Sequence, residues 1–288
     1  MRTLGFIGAG NMAAAIIGGV INSAGAGVGG GAAAGEKDAI AEDFAKSAAA
    51  RIIVSDYSAE RLAFFAEKYG VVTESENTEV ARRAGLLFLA VKPDAYENVI
   101  SEIRDCVASD TVVVILAAGL SIADVRKMFG GAGVKLVKVM PNTPAMVNQG
   151  MTALCAGENV TSDEFEAVAE IFRAIGEVEE LPEARFDAFT AVAGSSPAYV
   201  YTFIEALADA GVKHGLTRAQ AVKAAAQATL GAAAMVLENG AHTGVLRDAV
   251  CSPGGTTIAA VAALEREGFR HAVISAADAC VVRYNGLG

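Results

Sequence analysis

LGFIGAGNMAAAIIGG, running from Leu4 to Gly19, is the stretch that decides the fold. Leu4, Phe6 and Ile7 read as a short buried strand, Gly8-Ala9-Gly10 as a sharp turn, and Ala13, Ile16 and Ile17 as the apolar face of a helix. The spacing is GxGxxA. Gly8 keeps the turn tight, Gly10 lets the backbone approach a pyrophosphate, and small Ala13 lets the helix pack close to its strand. The free N–H groups at the helix start then attract phosphate. The stretch therefore points to a dinucleotide site. A tight strand-to-helix turn without a ligand is the plain alternative.

The 288 residues suit two closely joined domains with a large core, and the composition, 53% hydrophobic and without Trp, fits helices packed tightly on a sheet. A formal net charge of -10, with no long block of Lys or Arg, argues against nucleic acid as a partner. Cys106, Cys155, Cys251 and Cys280 form no CxxC, and His214, His242 and His271 are dispersed, so no metal-ligand spacing exists. The expectation is a reduced, metal-free cytoplasmic protein. Met1-Arg2-Thr3 before an apolar stretch resembles a secretory signal, but Gly8, Gly10, Asn11 and the Gly18-Gly19 pair interrupt its apolar core.

Ala24 to Gly35, AGAGVGGGAAAG, reads as a flexible linker, and Glu36 to Ala50 as a short surface helix; together they form a Gly/Ala-rich insertion over about 23–50. The second strand, Arg51 to Ser55, ends at Asp56. A carboxylate at the end of this strand is the expected partner of the adenosine ribose, and the linker accounts for its distance from the glycines. Asp56 favours a free 2′-hydroxyl, whereas the neighbouring Ser55 and Arg61 suit a 2′-phosphate, which leaves NADH and NADPH both open. Asp56 could also cap the helix Ala59 to Lys68.

Further strands follow at Val71-Val72, Leu86 to Val91, Val112 to Leu116 and Lys135 to Val139. They end in Lys92-Pro93, in Ala117-Ala118-Gly119 and in Met140-Pro141-Asn142-Thr143-Pro144. In a doubly wound sheet such ends face the ligand crevice, so these loops should line the nicotinamide half of the site. Lys92 reads equally as a solvated loop lysine. Asn142 suits either a hydrogen bond to a carboxamide or a structural turn. Two more strands, Met151 to Cys155 and Glu177 to Leu181, flank a helix from Ser162 to Ile175 that Ser162 can cap, and Pro182 marks a boundary between 1–181 and 182–288.

Beyond Pro182 the pattern is helical. Asp187 to Ala193 reads as helix, Gly194-Ser195-Ser196-Pro197 restarts it with Ser196 as N-cap, and the Thr217–Gln220 capping box opens a long helix to Glu238. That helix is Ala-rich on nearly every face, with Leu230, Met235 and Val236 added, so other helices must cover it, some from a second copy. A homodimer is expected. Cys251 to Ile258, CSPGGTTI, is a second Gly-rich turn opening the helix Ile258 to Glu267. Its N–H groups over Gly254, Gly255, Thr256 and Thr257 can cradle a small carboxylate, or simply begin a helix. A last helix runs from Phe269 to about Asn285.

Taken together, GFIGAGNM (Gly5 to Met12), AVKP (Ala90 to Pro93), AAG (Ala117 to Gly119), MPNTPA (Met140 to Ala145), GSSPAY (Gly194 to Tyr199) and SPGGTTI (Ser252 to Ile258) resemble the pyrroline-5-carboxylate reductases over nearly the whole chain. Ser23 to Ala50 departs from the resemblance by its length. The resemblance implies an N-terminal Rossmann dinucleotide-binding domain followed by an all-α dimerisation domain, assembled as dimers or rings of dimers. It implies hydride transfer from NADPH or NADH to the C=N carbon of 1-pyrroline-5-carboxylate, giving L-proline. By matched position the cofactor touches Ile7, Gly8, Ala9, Gly10, Asn11, Met12, Ser55, Asn77, Ala90, Val91, Lys92, Pro93, Ala117, Ala118 and Gly119. The substrate carboxylate rests on Gly255 to Thr257, with the Thr257 hydroxyl near the imine nitrogen. A β-hydroxyacid dehydrogenase would want a Lys at about Tyr199 or Val200, and none occurs before Lys213. A non-catalytic nucleotide sensor would not need SPGGTT.

Overall fold

The computed structural model describes residues 2–26, 45–131 and 133–287. The chain divides into two compact units, Met1–Gly194 together with Val281–Gly288, and Ser195–Cys280. The boundary expected after Leu181 compares with a contact division after Gly194, because Phe186 is buried with Met140 and Ala153 and so keeps the intervening residues with the sheet.

The first unit is built on eight strands: β1 (Leu4–Ile7), β2 (Ile52–Ser55), β3 (Val72–Glu74), β4 (Leu86–Leu89), β5 (Val112–Ile115), β6 (Lys135–Met140), β7 (Gly150–Ala156) and β8 (Gly176–Glu180). Their order is β3-β2-β1-β4-β5-β6-β7-β8. The first six run parallel, β7 pairs antiparallel with β6, and β8 runs parallel to β7. β1, β4 and β5 carry no polar side chain because both faces are covered. Phe6, Ile52, Val54, Phe88, Val112 and Val114 point into one core with Ile16 and Ile17 of α1 (Asn11–Ala26). Their alternates Ile7, Ile53, Leu87, Leu89, Val113 and Ile115 form the other core. Phe6 and Phe88, in register on β1 and β4, stack at 4.5 Å between centroids.

The strands match the sequence reading within a residue or two. The caps differ in detail. Ser58, not Asp56, caps α2 (Ala59–Tyr69) by accepting from the Arg61 N–H. Likewise Thr161, not Ser162, forms a capping box with Glu164. Helices α3 (Asn77–Arg83), α4 (Tyr96–Ile103), α5 (Ile122–Met128) and α6 (Ser162–Arg173) complete the layers. The Gly/Ala-rich linker and surface helix expected near 23–50 lie largely outside the described residues; Ala24 and Ala26 belong to α1, and residues 45–49 are helical. A short helix α7 (Phe186–Phe189) runs into a π-helical turn, Thr190–Gly194.

The second unit is helical: α8 (Ser196–Lys213), α9 (Arg218–Asn239), α10 (Thr243–Ala249), α11 (Thr256–Arg266) and most of α12 (Phe269–Asn285). Ser195, not Ser196, precedes α8 and makes no side-chain cap there. Thr217 and Gln220 form the expected capping box of α9, which stops at left-handed Gly240. Among the described residues of this unit only Ala208, Ala221 and Ala225 are buried apolar side chains, while Leu230 and Leu237 are 57% and 83% exposed. A helical unit with so small a core of its own needs a covering surface. No helix among the described residues is long and apolar enough to cross a membrane.

Candidate active site

The strand order reverses between β1 and β4, and at that switch point ligands bind outside the carboxyl ends of the strands. The Gly8-Ala9-Gly10 turn leaves β1 there. Gly8 has φ +101°, and a Cβ on it would lie 2.6 Å from the Ala90 carbonyl oxygen, so only glycine fits. Gly10 is different: a Cβ there meets nothing nearer than the same oxygen at 4.0 Å, which leaves space over the turn. The Ala14 N–H donates to the Gly10 carbonyl and closes the first turn of α1. The opening N–H groups of the helix are left without intrahelical partners. Gly10 and Asn11 are exposed and Met12 half-buried, whereas Ile7, Gly8 and Ala9 are buried. An open glycine turn aimed along a helix axis fits a pyrophosphate.

Asp56 and Arg61 hold this turn from the β2 side. One Asp56 oxygen accepts from the Ala9 N–H at 2.7 Å, and the other from the Ser58 N–H at 2.9 Å. Arg61 donates Nε and Nη2 to the Ala9 carbonyl at 2.8 and 2.6 Å, and its guanidinium lies over the rings of Phe64 and Phe65. Both main-chain groups of Ala9 are thus taken within the chain, which leaves donors at Gly10, Asn11 and Met12. Tyr57, next to Asp56, is fully exposed. Ser55 is fully buried and donates its hydroxyl to Asn77 Oδ1 at 2.8 Å, and Asn77 Nδ2 donates to Glu102 at 2.8 Å.

The loops after β4 and β5 meet at a residue for which the sequence offered no motif. Tyr96, at the start of α4, is completely buried; its hydroxyl donates to the Leu89 carbonyl at 2.6 Å and accepts from the Leu116 N–H at 3.0 Å. Burial pushes its phenol well above the ordinary value, against the backbone bonds that lower it. The ring thereby ties the strand ends that lead into Ala90-Val91-Lys92-Pro93 and Ala117-Ala118-Gly119. The only signal for it was an aromatic residue with a polar tip on a helix entering the core. Ala90 and Val91 are half-buried and Lys92 and Pro93 exposed, Lys92 preceding the 3-10 turn Pro93–Ala95. Ala117 is buried, with Ala118 and Gly119 half-exposed; Gly119 at φ +83° packs against Leu287.

Asn142 does not have a free amide to offer. Its Nδ2 donates to the Ala193 carbonyl at 2.9 Å and its Oδ1 accepts from the Met151 N–H at 3.0 Å, with the side chain buried. Of the two readings of this residue, the geometry supplies the structural one: it fastens the MPNTP loop to β7 and to the π-helical turn.

Within the second unit, Cys251 to Gly255 bring the chain into α11. Gly254 has φ +68°, Gly255 donates its N–H to the Ser252 carbonyl at 3.0 Å, and as N-cap Gly255 provides no side-chain hydrogen bond to the first turn. The N–H groups that open α11 at Thr256 and Thr257 are therefore available to an anion. Among the described residues the Thr257 hydroxyl has no hydrogen-bond partner.

A family model described as pyrroline-5-carboxylate reductase dimerisation matches residues 183–287, and one described as NADP oxidoreductase coenzyme F420-dependent matches residues 25–119. The chain is 43% identical over 286 residues to a pyrroline-5-carboxylate reductase of Escherichia coli (strain K12), covering 99% of this chain and 98% of that one. It belongs to the pyrroline-5-carboxylate reductase family. Solved structures agree. A pyrroline-5-carboxylate reductase from Coxiella burnetii superposes with a TM-score of 0.85 at 35% identity, covering 100% of this chain and 98% of that one. A pyrroline carboxylate reductase from Plasmodium falciparum, solved with NADP bound, gives 0.82 at 30%, with 100% and 98% covered. The pyrroline-5-carboxylate reductase fold accounts for the parallel sheet and for the helical dimerisation domain. In the reductase's GSSPAY segment, Cys280 donates its thiol to Ser195 Oγ at 3.3 Å. Burial and then the same thiol push the Tyr199 phenol upward.

Proposed function

We propose that this chain reduces 1-pyrroline-5-carboxylate to L-proline with NAD(P)H, the last step of proline biosynthesis. The observation that carries the reading is the open Gly10 turn at the β1/β4 switch point, in a chain of this reductase family. The chemistry supplied by the bound cofactor is hydride donation to the C=N carbon.

The residues have separable tasks. Gly8 keeps the turn closed, and Gly10, Asn11 and Met12 offer N–H groups to the pyrophosphate. Tyr96 holds the Ala90–Pro93 and Ala117–Gly119 loops in register for the nicotinamide half. The N–H groups of Thr256 and Thr257 bind the substrate carboxylate over the Gly254-Gly255 turn, and the Thr257 hydroxyl orients the imine nitrogen. An imine, unlike a carbonyl, can arrive already protonated, and then orientation and electrostatics suffice without a strong general acid. The helical half from residue 182 onward pairs with that of a second copy into a homodimer, extendable to a ring of dimers, in the cytoplasm.

Loss of reduced-nicotinamide absorbance on addition of pyrroline-5-carboxylate tests the reading. No oxidation of either NADH or NADPH, by protein that is folded by circular dichroism, would overturn it.

A further inference from the structure

Three side chains surround the end of β2 where the adenosine ribose is expected, and their commitments differ. Ser55 and Arg61 are the groups that could receive a 2′-phosphate. Ser55 is fully buried with its hydroxyl donated to Asn77, and Arg61 has Nε and Nη2 on the Ala9 carbonyl with its guanidinium over Phe64 and Phe65. The Ser55 hydroxyl cannot turn to a phosphate without giving up Asn77, and Arg61 is anchored to the turn by Nε and Nη2. Asp56 is partly exposed, and the Ala9 and Ser58 N–H groups hold both of its oxygens in place. A carboxylate fixed in this way cannot swing aside. Each of its oxygens keeps a further lone pair to accept from a ribose hydroxyl.

We infer that Asp56 sets the cofactor preference of this chain, selecting the dinucleotide with a free 2′-hydroxyl, NADH, over NADPH. The inference rests on the dinucleotide site proposed above. A free 2′-hydroxyl donates to the carboxylate, whereas a 2′-phosphate brings close to two negative charges against a third that cannot move. The Plasmodium falciparum relative was solved with NADP bound. Here, among the described residues at the end of β2, the Ser55 hydroxyl and the Arg61 Nε and Nη2 groups are spent on the protein itself.

Titration of the purified protein with NADH and with NADPH, followed by nicotinamide fluorescence, tests this without turnover. NADH should bind about tenfold or more tightly than NADPH, a ratio of the size that one opposed charge produces. Asp56→Asn keeps an acceptor for the Ala9 N–H and removes the charge; it should narrow the ratio, mainly by tightening NADPH. Competition of NADH by adenosine 5′-monophosphate against adenosine 2′,5′-bisphosphate gives the same comparison on the unsubstituted protein, should that variant not fold. Equal or tighter binding of NADPH, an unchanged ratio in folded Asp56→Asn, or an Arg61→Ala variant that loses NADPH selectively would each overturn the inference. Failure of both dinucleotides to bind would overturn it together with the proposed function, an outcome distinct from binding with the reverse preference.

Discussion

The Tyr96 hydroxyl donates to the carbonyl of Leu89 across 2.6 Å, inside a core from which water is excluded. Because the same oxygen accepts from Leu116, one phenol joins the carboxyl ends of β4 and β5. Tyr96→Phe keeps the ring but orphans a buried carbonyl and a half-buried N–H. It should cost about 2–3 kcal/mol, read as a lower urea midpoint at unchanged slope, and should weaken NAD(P)H binding through the loosened loops.

The two glycines of the first turn should separate stability from binding. Gly8→Ala meets the Ala90 carbonyl and a positive φ, so it should destabilise the fold by about 1–3 kcal/mol from the backbone alone. Gly10→Ala has room for its methyl and should shift stability by less than about 1 kcal/mol, yet lower dinucleotide affinity by about tenfold or more. Thermal melts and fluorescence titration on the same two variants distinguish the outcomes. Equal loss of melting temperature in both would contradict the assignment.

Thr257→Ala should lower kcat by about ten- to a hundredfold, the scale for one placed donor, while Thr257→Ser should recover most of it. Unchanged turnover in the alanine variant would remove Thr257 from the reacting centre.

Acid stability should depend on Glu164. Burial raises its pKa, but Lys135, the Thr161 N–H and Arg2 together overcome that and bring it down to about 2. Its folded value lies below the unfolded one, so its stabilisation is complete above the ordinary carboxylate range and is lost as pH falls through about 2. Glu164→Gln should cost about 1–3 kcal/mol at neutral pH and flatten the acid limb of a stability profile measured from pH 7 downward.

Leu230 and Leu237 on α9 stand largely exposed in the single chain, on a unit whose buried apolar side chains among the described residues are alanines. Light scattering should report a multiple of the chain mass, and Leu237→Asp should shift it toward one chain. A single-chain mass for the unsubstituted protein would refute the homodimer.

The strands were legible because a sheet buried on both faces demands unbroken apolar runs such as LLFL and VVVI, and little else does. Less legible were features fixed by neighbours remote in sequence. Ser58 makes the cap for which Asp56 was also a candidate, because Asp56 is drawn instead to the Ala9 N–H, 47 residues away. In the sequence Asn142 suits a carboxamide contact and a turn role alike, until Ala193 and Met151 are brought to its two ends.

From order and spacing alone the chain determined a Rossmann sheet, a glycine turn over a helix start, a helical second half and a second glycine turn, because these are local in sequence. Tertiary structure alone decided which polar groups around those turns remain free to meet a ligand. Hydrogen-bond capacity is finite and burial selects the partners: Arg61 goes to Ala9, Ser55 to Asn77 and Tyr96 to Leu89, while Gly10 stays open and Asp56 stands fixed beside it.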